Sequence, residues 1–137
     1  MSDYADFTFA HAGLNVEDFK AAEAWYVENL NMTVARSVPG NMSFLADPTG
    51  RVILEVYSNK TAPVMDFKKT HFLTLHMAFL VEDPQKTAEK LVKAGATIID
   101  PFKTVPDSGD QMIMLQDPYG LSIQFIKRKN PPKNINE

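Results

Sequence analysis

Apolar and polar residues alternate through residues 7–16 and again through residues 73–81, the period-two spacing of a strand with two unlike faces. The first run leads into an apolar stretch at helical spacing, with Asp18 placed to cap a helix from Phe19 to about Leu30. Trp25, Tyr26 and Leu30 supply its buried face, a core role rather than a recognition box. Asn31 tolerates the left-handed backbone that ends helices, and residues 32–38 return as a strand. Pro39-Gly40-Asn41 turns the chain, and strands at 42–46 and 51–57 flank the turn Asp47-Pro48-Thr49-Gly50 as a hairpin. The first half therefore reads β-α-β-β-β.

Residues 58–70 are polar with one proline and fit a linker. The plan then repeats. A strand covers about 73–81 and a helix about 84–94, with Pro84 at a tolerated first-turn position and Gly95 past the helix end. A strand at 96–99 is followed by a looser segment holding Pro101, Pro106 and Gly109. Strands at 111–116 and 121–127 enclose the turn Asp117-Pro118-Tyr119-Gly120, and residues 128–137 form a polar tail. One domain of residues 1–137 is expected, with module one at about 7–57 and module two at about 71–127.

The duplication is visible in residues as well as in elements. His11, followed by Val16-Glu17-Asp18, returns as His76, followed by Val81-Glu82-Asp83. Each Asp-Pro-x-Gly turn leads into an apolar strand that carries one polar residue, Glu55 in the first and Gln124 in the second. Alternation puts Glu55 with Ile53 and Tyr57, opposite Val52, Leu54 and Val56. It puts His76 with Thr74 and Ala78, and Gln124 with Ser122 and Ile126. The more apolar faces suit packing under helices, which leaves His11, Glu55, His76 and Gln124 on the open side. Repeated imidazoles with a carboxylate and an amide make these four a candidate metal-ligand set. Glu55 lies eight residues after Asp47 while Gln124 lies seven after Asp117, which predicts a one-residue bulge in the first hairpin.

Composition narrows the partners. A chain of 137 residues with 45% hydrophobic content can bury one core, so the two modules fold together rather than as two enzymes. The net charge of −3 and scattered basic residues offer no surface for a phosphate backbone, so nucleic acid is not expected. Lys127-Arg128-Lys129 reads as a solvated strand end and His71 as a surface linker residue. No apolar run has the length of a membrane span, and the start Met-Ser-Asp-Tyr-Ala-Asp has neither the basic nor the apolar part of a signal peptide; a cytoplasmic protein is expected. With no cysteine, any metal must be held by nitrogen and oxygen.

The two His-x4-Val-Glu-Asp strands, the segment Ala24-Trp-Tyr-Val-Glu-Asn-Leu-Asn-Met32 and the paired Asp-Pro-x-Gly hairpins resemble the vicinal oxygen chelate superfamily, which includes glyoxalases, bleomycin-resistance proteins and extradiol dioxygenases. The resemblance implies an α+β fold of two tandem βαβββ modules whose curved mixed sheets form a cleft around a divalent metal. Its ligand positions match His11, Glu55, His76 and Gln124, and the set is most similar to glyoxalase I. Gln124 departs from that pattern, because glyoxalase I normally has a second Glu there.

What the resemblance implies in chemistry is a lyase or isomerase that moves a proton next to a metal-chelated carbonyl of a small substrate, such as a thiol adduct, with Glu55 or a metal-held hydroxide as base. The divalent ion is zinc, nickel, cobalt, manganese or iron. Two alternatives stay open: an Fe(II) ring-cleaving dioxygenase, and a metal-free binding protein of the bleomycin-resistance type with Trp25, Tyr57, Phe102 or Tyr119 as ligand contacts. A homodimer is the expected assembly.

Overall fold

The computed structural model describes residues 5–130. The chain divides between Met65 and Asp66 into two compact units, each a four-stranded open sheet with one helix. The fold is α+β, with two tandem β-α-β-β-β modules.

The first unit contains β1 (Ala12–Asn15), α1 (Phe19–Asn29), β2 (Thr33–Val38), β3 (Met42–Ala46) and β4 (Val52–Tyr57), with strand order β1-β4-β3-β2. β1 runs parallel to β4, and the other pairings are antiparallel. The α1 helix begins where expected because the Asp18 carboxylate accepts the Ala21 N–H at 3.1 Å. It ends at Asn29, with Leu30 as its cap and Asn31 just beyond it at a φ of 54°. Phe19, Ala22, Trp25 and Tyr26 are buried with Ser43, Leu45, Leu54 and Val56, so the helix covers the apolar face of this sheet. Trp25 is therefore a core residue and not a ligand contact.

The second unit contains a 3₁₀ turn (Phe67–Lys69), β5 (Met77–Leu80), α2 (Pro84–Lys93), β6 (Thr97–Thr104), β7 (Gln111–Gln116) and β8 (Ser122–Lys127), in strand order β5-β8-β7-β6. Asp83 caps α2 through the Lys86 N–H at 3.0 Å. At the other end Gly95 adopts a φ of 108° and donates to the Val92 carbonyl, while Ala96 donates to that of Leu91. That reciprocal pair of bonds satisfies two carbonyls the helix would leave unpaired. Ala88 and Leu91 are buried with Ile113, Leu115, Ile123 and Phe125.

Several boundaries differ from expectation. The first strand starts at Ala12, and Phe7, fully exposed with a φ of 60°, lies outside it. The second module's first strand starts at Met77, because residues 72–75 form a turn in which Thr74 and Leu75 donate to the His71 carbonyl. β6 continues through Pro101 to Thr104; it is an edge strand with register shifts on both sides of Asp100, and an edge tolerates a residue without an N–H. The expected linker carries the Phe67–Lys69 turn and buries Phe67. Arg128 is not simply solvated, because it meets the buried Asp110 at 3.1 Å. The tail beyond residue 130 lies outside the described residues.

The predicted bulge is present. β3 and β4 shift register between Leu45 and Ala46, leaving Ile53 unpaired, whereas β7 and β8 pair without a shift.

Candidate functional site

The four candidate donors fall one pair to each unit. Glu55 sits mid-strand in β4 with Gly13 paired to one side and Phe44 to the other, and Phe44 in turn pairs with Arg36. Cross-strand partners share a face, so Gly13, Glu55, Phe44 and Arg36 form one row across the sheet. This face lies opposite the buried Leu54 and Val56. His11, just ahead of β1, brings its Nε2 to 3.9 Å from Glu55 Oε2. Its ring meets Phe44 edge-to-face with centroids 5.0 Å apart, which holds the imidazole in place. The side chains of His11 and Glu55 are 32% and 22% exposed, so both are reachable from solvent yet partly enclosed.

An open cleft of about 410 Å³ reaches His11 and its ring partner Phe44, lined by Ala10, His11, Ala35, Arg36, Phe44 and Val52. Val52 lines the cleft rather than joining Leu54 and Val56 under the helix, as strict alternation had placed it. The bulge at Ile53 accounts for the change, since an extra residue breaks the two-residue period.

The second unit repeats the row with other residues: Ala78, Gln124, Met114 and Asp100. The His76 ring nitrogen Nδ1 lies 2.8 Å from the Phe72 carbonyl, which can only accept, so this nitrogen donates, and in the neutral ring the lone pair is on Nε2. Gln124 Nε2 points to Met112 Sδ at 3.4 Å, leaving its carbonyl oxygen as the available donor atom. Asp100 is occupied by Lys103 at 3.0 Å. Among the described residues no three His, Cys, Asp or Glu side chains gather as a metal cluster; within the first unit His11 and Glu55 stand together.

Three residues of this surface were missed in the sequence. Phe44 and Arg36 enter the site only through cross-strand register, which a bulge between Val34 and Arg36 shifts. Gly13 lay in plain view as a strand glycine, a signal of close approach by another group. The other proposed contacts are mixed: Phe102 is exposed on β6 and Tyr119 lies half-buried in the second hairpin turn.

The sequence profile of the glyoxalase/bleomycin resistance protein/dioxygenase superfamily matches residues 8–125. The chain belongs to this superfamily. Solved structures agree on the fold. A glyoxalase-related enzyme from Fulvimarina pelagi superposes with a TM-score of 0.70 at 18% identity, covering 94% of each chain. A glyoxalase family protein from Enterococcus faecalis gives 0.67 at 22% identity, covering 89% of this chain and 98% of its own. A lactoylglutathione lyase from Agrobacterium tumefaciens gives 0.64 at 16% identity, covering 90% and 96%. Among curated proteins no sequence relative matches. At these identities the likeness is one of fold, and function has to be argued from the site.

Superfamily members commonly use divalent metals, and the donors of this chain suit one. His76 is held in the tautomer a metal ligand needs, by the carbonyl partner that typically orients such a histidine. His11 and Glu55 present a nitrogen and a carboxylate oxygen side by side. Imidazole nitrogens and oxygen donors without a thiolate are of the type that holds a divalent ion.

Proposed function

We propose that this protein is a metal-dependent lyase or isomerase of the glyoxalase kind, moving a proton between neighbouring carbons of a small substrate that carries adjacent oxygens. The reading rests on His11 and Glu55, which stand 3.9 Å apart on the open face of the first sheet, with His11 lining a cleft large enough for a small molecule. His11 and His76 would hold the ion through Nε2, Glu55 through its carboxylate, and Gln124 through its carbonyl oxygen. A bound divalent ion acts as a Lewis acid, drawing charge from a substrate carbonyl and easing loss of the proton on the next carbon.

The protein's own groups do the rest. Glu55 takes that proton and returns it to the neighbouring carbon, a transfer an amide at Gln124 cannot perform. Phe44 steadies His11, and Phe72 steadies His76. Arg36, at the end of the same row, offers a cation to an acidic part of the substrate. The test uses the hemithioacetal of a small α-ketoaldehyde with a thiol, given to protein loaded in turn with each of the five ions. Isomerisation by the wild type that is lost in Glu55→Gln, with the circular dichroism unchanged, supports the reading. Retained turnover in that variant overturns the assignment of the base.

A second reading, sequestration of an apolar ligand without chemistry, draws on the apolar walls of the same cleft at Ala10, Ala35, Phe44 and Val52. Tight binding by metal-free protein that His11→Ala leaves intact would favour it. Superfamily members often form dimers, and we take a cytoplasmic homodimer as the working form; sedimentation of the purified protein checks the assembly.

A further inference from the structure

Tyr57 stands two residues beyond Glu55 on β4 and shares its face. Its backbone is well anchored: its carbonyl accepts the Val16 N–H at 2.9 Å. The loop that follows is tied to Asn15, whose side chain accepts the Asn59 N–H at 2.7 Å and donates to the Asn59 carbonyl at 3.0 Å. From this fixed base the phenol folds back across β1 and lies over Gly13. A Cβ on Gly13 would stand 2.9 Å from the Tyr57 hydroxyl, but 3.6 Å and 3.7 Å from the nearest ring carbons. Only the hydroxyl is too close for a methyl group.

Gly13 is the residue paired with Glu55, and His11 precedes it by two on the same face. The hydroxyl therefore lies over the residue paired with Glu55, on the Glu55 face of the sheet, and among the described residues no hydrogen bond engages it. Gly13 adopts an ordinary negative φ, so its glycine is not required by the backbone. Nor does the module require it. The second sheet builds the same row with Ala78 in the place of Gly13 and Ile126 in the place of Tyr57. Both departures occur together, and only in the module that carries the carboxylate.

We propose that the Tyr57 hydroxyl is a hydrogen-bond donor to a ligand oxygen bearing negative charge at the His11–Glu55 site, and that Gly13 is the gap that lets it lie there. The inference rests on the metal-dependent reading above and adds a hydrogen-bond donor of this chain to that site. Tyr57 positions and stabilises such an oxygen without holding the metal. Donation to a charged oxygen is worth about tenfold in affinity.

The test is a titration of cobalt-loaded protein with acetohydroxamate, a small vicinal-oxygen anion, followed in the visible spectrum. Tyr57→Phe keeps the ring and its packing, and Gly13→Ala displaces the hydroxyl alone. Both variants should give the wild-type cobalt spectrum before ligand is added and bind acetohydroxamate about tenfold more weakly. The double variant should be no weaker than Tyr57→Phe, because without the hydroxyl an alanine at residue 13 meets only ring carbon at ordinary distance. In urea unfolding, Gly13→Ala should be less stabilising, or more destabilising, in the wild type than in the Tyr57→Phe background, where alanine meets no clash and restricts the unfolded chain. Equal affinity in cobalt-loaded Tyr57→Phe overturns this inference and leaves the metal reading standing. Failure of the wild type to bind cobalt overturns both.

Discussion

Glu55 and Gln124 occupy the same position in two sheets of the same topology, each flanked by the residue two places after a histidine, Gly13 in one case and Ala78 in the other. The duplication thus preserved the place and changed the chemistry, leaving a carboxylate in one module and an amide in the other. A second carboxylate at that place should strengthen the hold on a divalent cation. Gln124→Glu is expected to raise zinc affinity by about tenfold or more, measured by competition with a chromophoric chelator. An unchanged affinity would remove Gln124 from the ligand set.

The two hairpin turns look alike in sequence but differ in what surrounds their glycines. Gly120 has a φ of 97°, and a Cβ there would meet the Lys68 backbone nitrogen at 2.6 Å. Gly50 has a φ of 88° and open space around it. Gly50→Ala should therefore cost about 1 kcal/mol from backbone strain alone. Gly120→Ala should cost clearly more, about 3 kcal/mol, since the 3₁₀ turn must also move. Urea unfolding of the two variants checks the order.

The legible parts of this fold were those settled by neighbouring residues. Asp18 caps α1 where the sequence put it, because a cap needs only an N–H three residues on. The Asp47 and Asp117 turns are equally local, each carboxylate accepting the N–H two residues later. Even the bulge was readable, from a one-residue difference between two repeats. What failed depended on partners far along the chain. Alternation through Phe7, Phe9 and His11 promised a longer strand, but the pairing of β1 with β4 begins only at Ala12 and Leu54. Pro101 looked like a break and is carried inside an edge strand. At the candidate site, the face of Glu55 and its relation to His11 were visible in sequence. The row that adds Phe44 and Arg36 was not, because it exists only in the register between strands.

Asp110 shows how a charged strand end can be structural. It is buried, accepts from Arg128 at 3.1 Å and from the Lys129 N–H at 3.0 Å, and its own carbonyl accepts the Val105 N–H. Asp110→Asn keeps the shape and removes the charge. A loss of about 2 kcal/mol is expected. A change within experimental error in the unfolding midpoint would show that the pair contributes little.

Ser43 offers the opposite case. It is fully buried on the helix-facing side of β3, and its hydroxyl has no partner among the described residues. Removing an unsatisfied hydroxyl from such a place relieves a desolvation cost, so Ser43→Ala should be neutral or stabilising by about 1 kcal/mol. A clear destabilisation would mean that the hydroxyl is bonded after all.

The central proposal is that His11, Glu55, His76 and Gln124 are ligands of a divalent ion. The most direct measurement is the metal content, by mass spectrometry, of untagged wild-type protein and of His11→Ala and His76→Ala, after incubation with zinc, nickel, cobalt, manganese or iron and removal of loose ions. One of these metals should be retained near stoichiometry by the wild type and lost from both variants, one from each module. Wild-type protein that retains none of them, or a His76→Ala variant that retains the metal in full, would contradict the account.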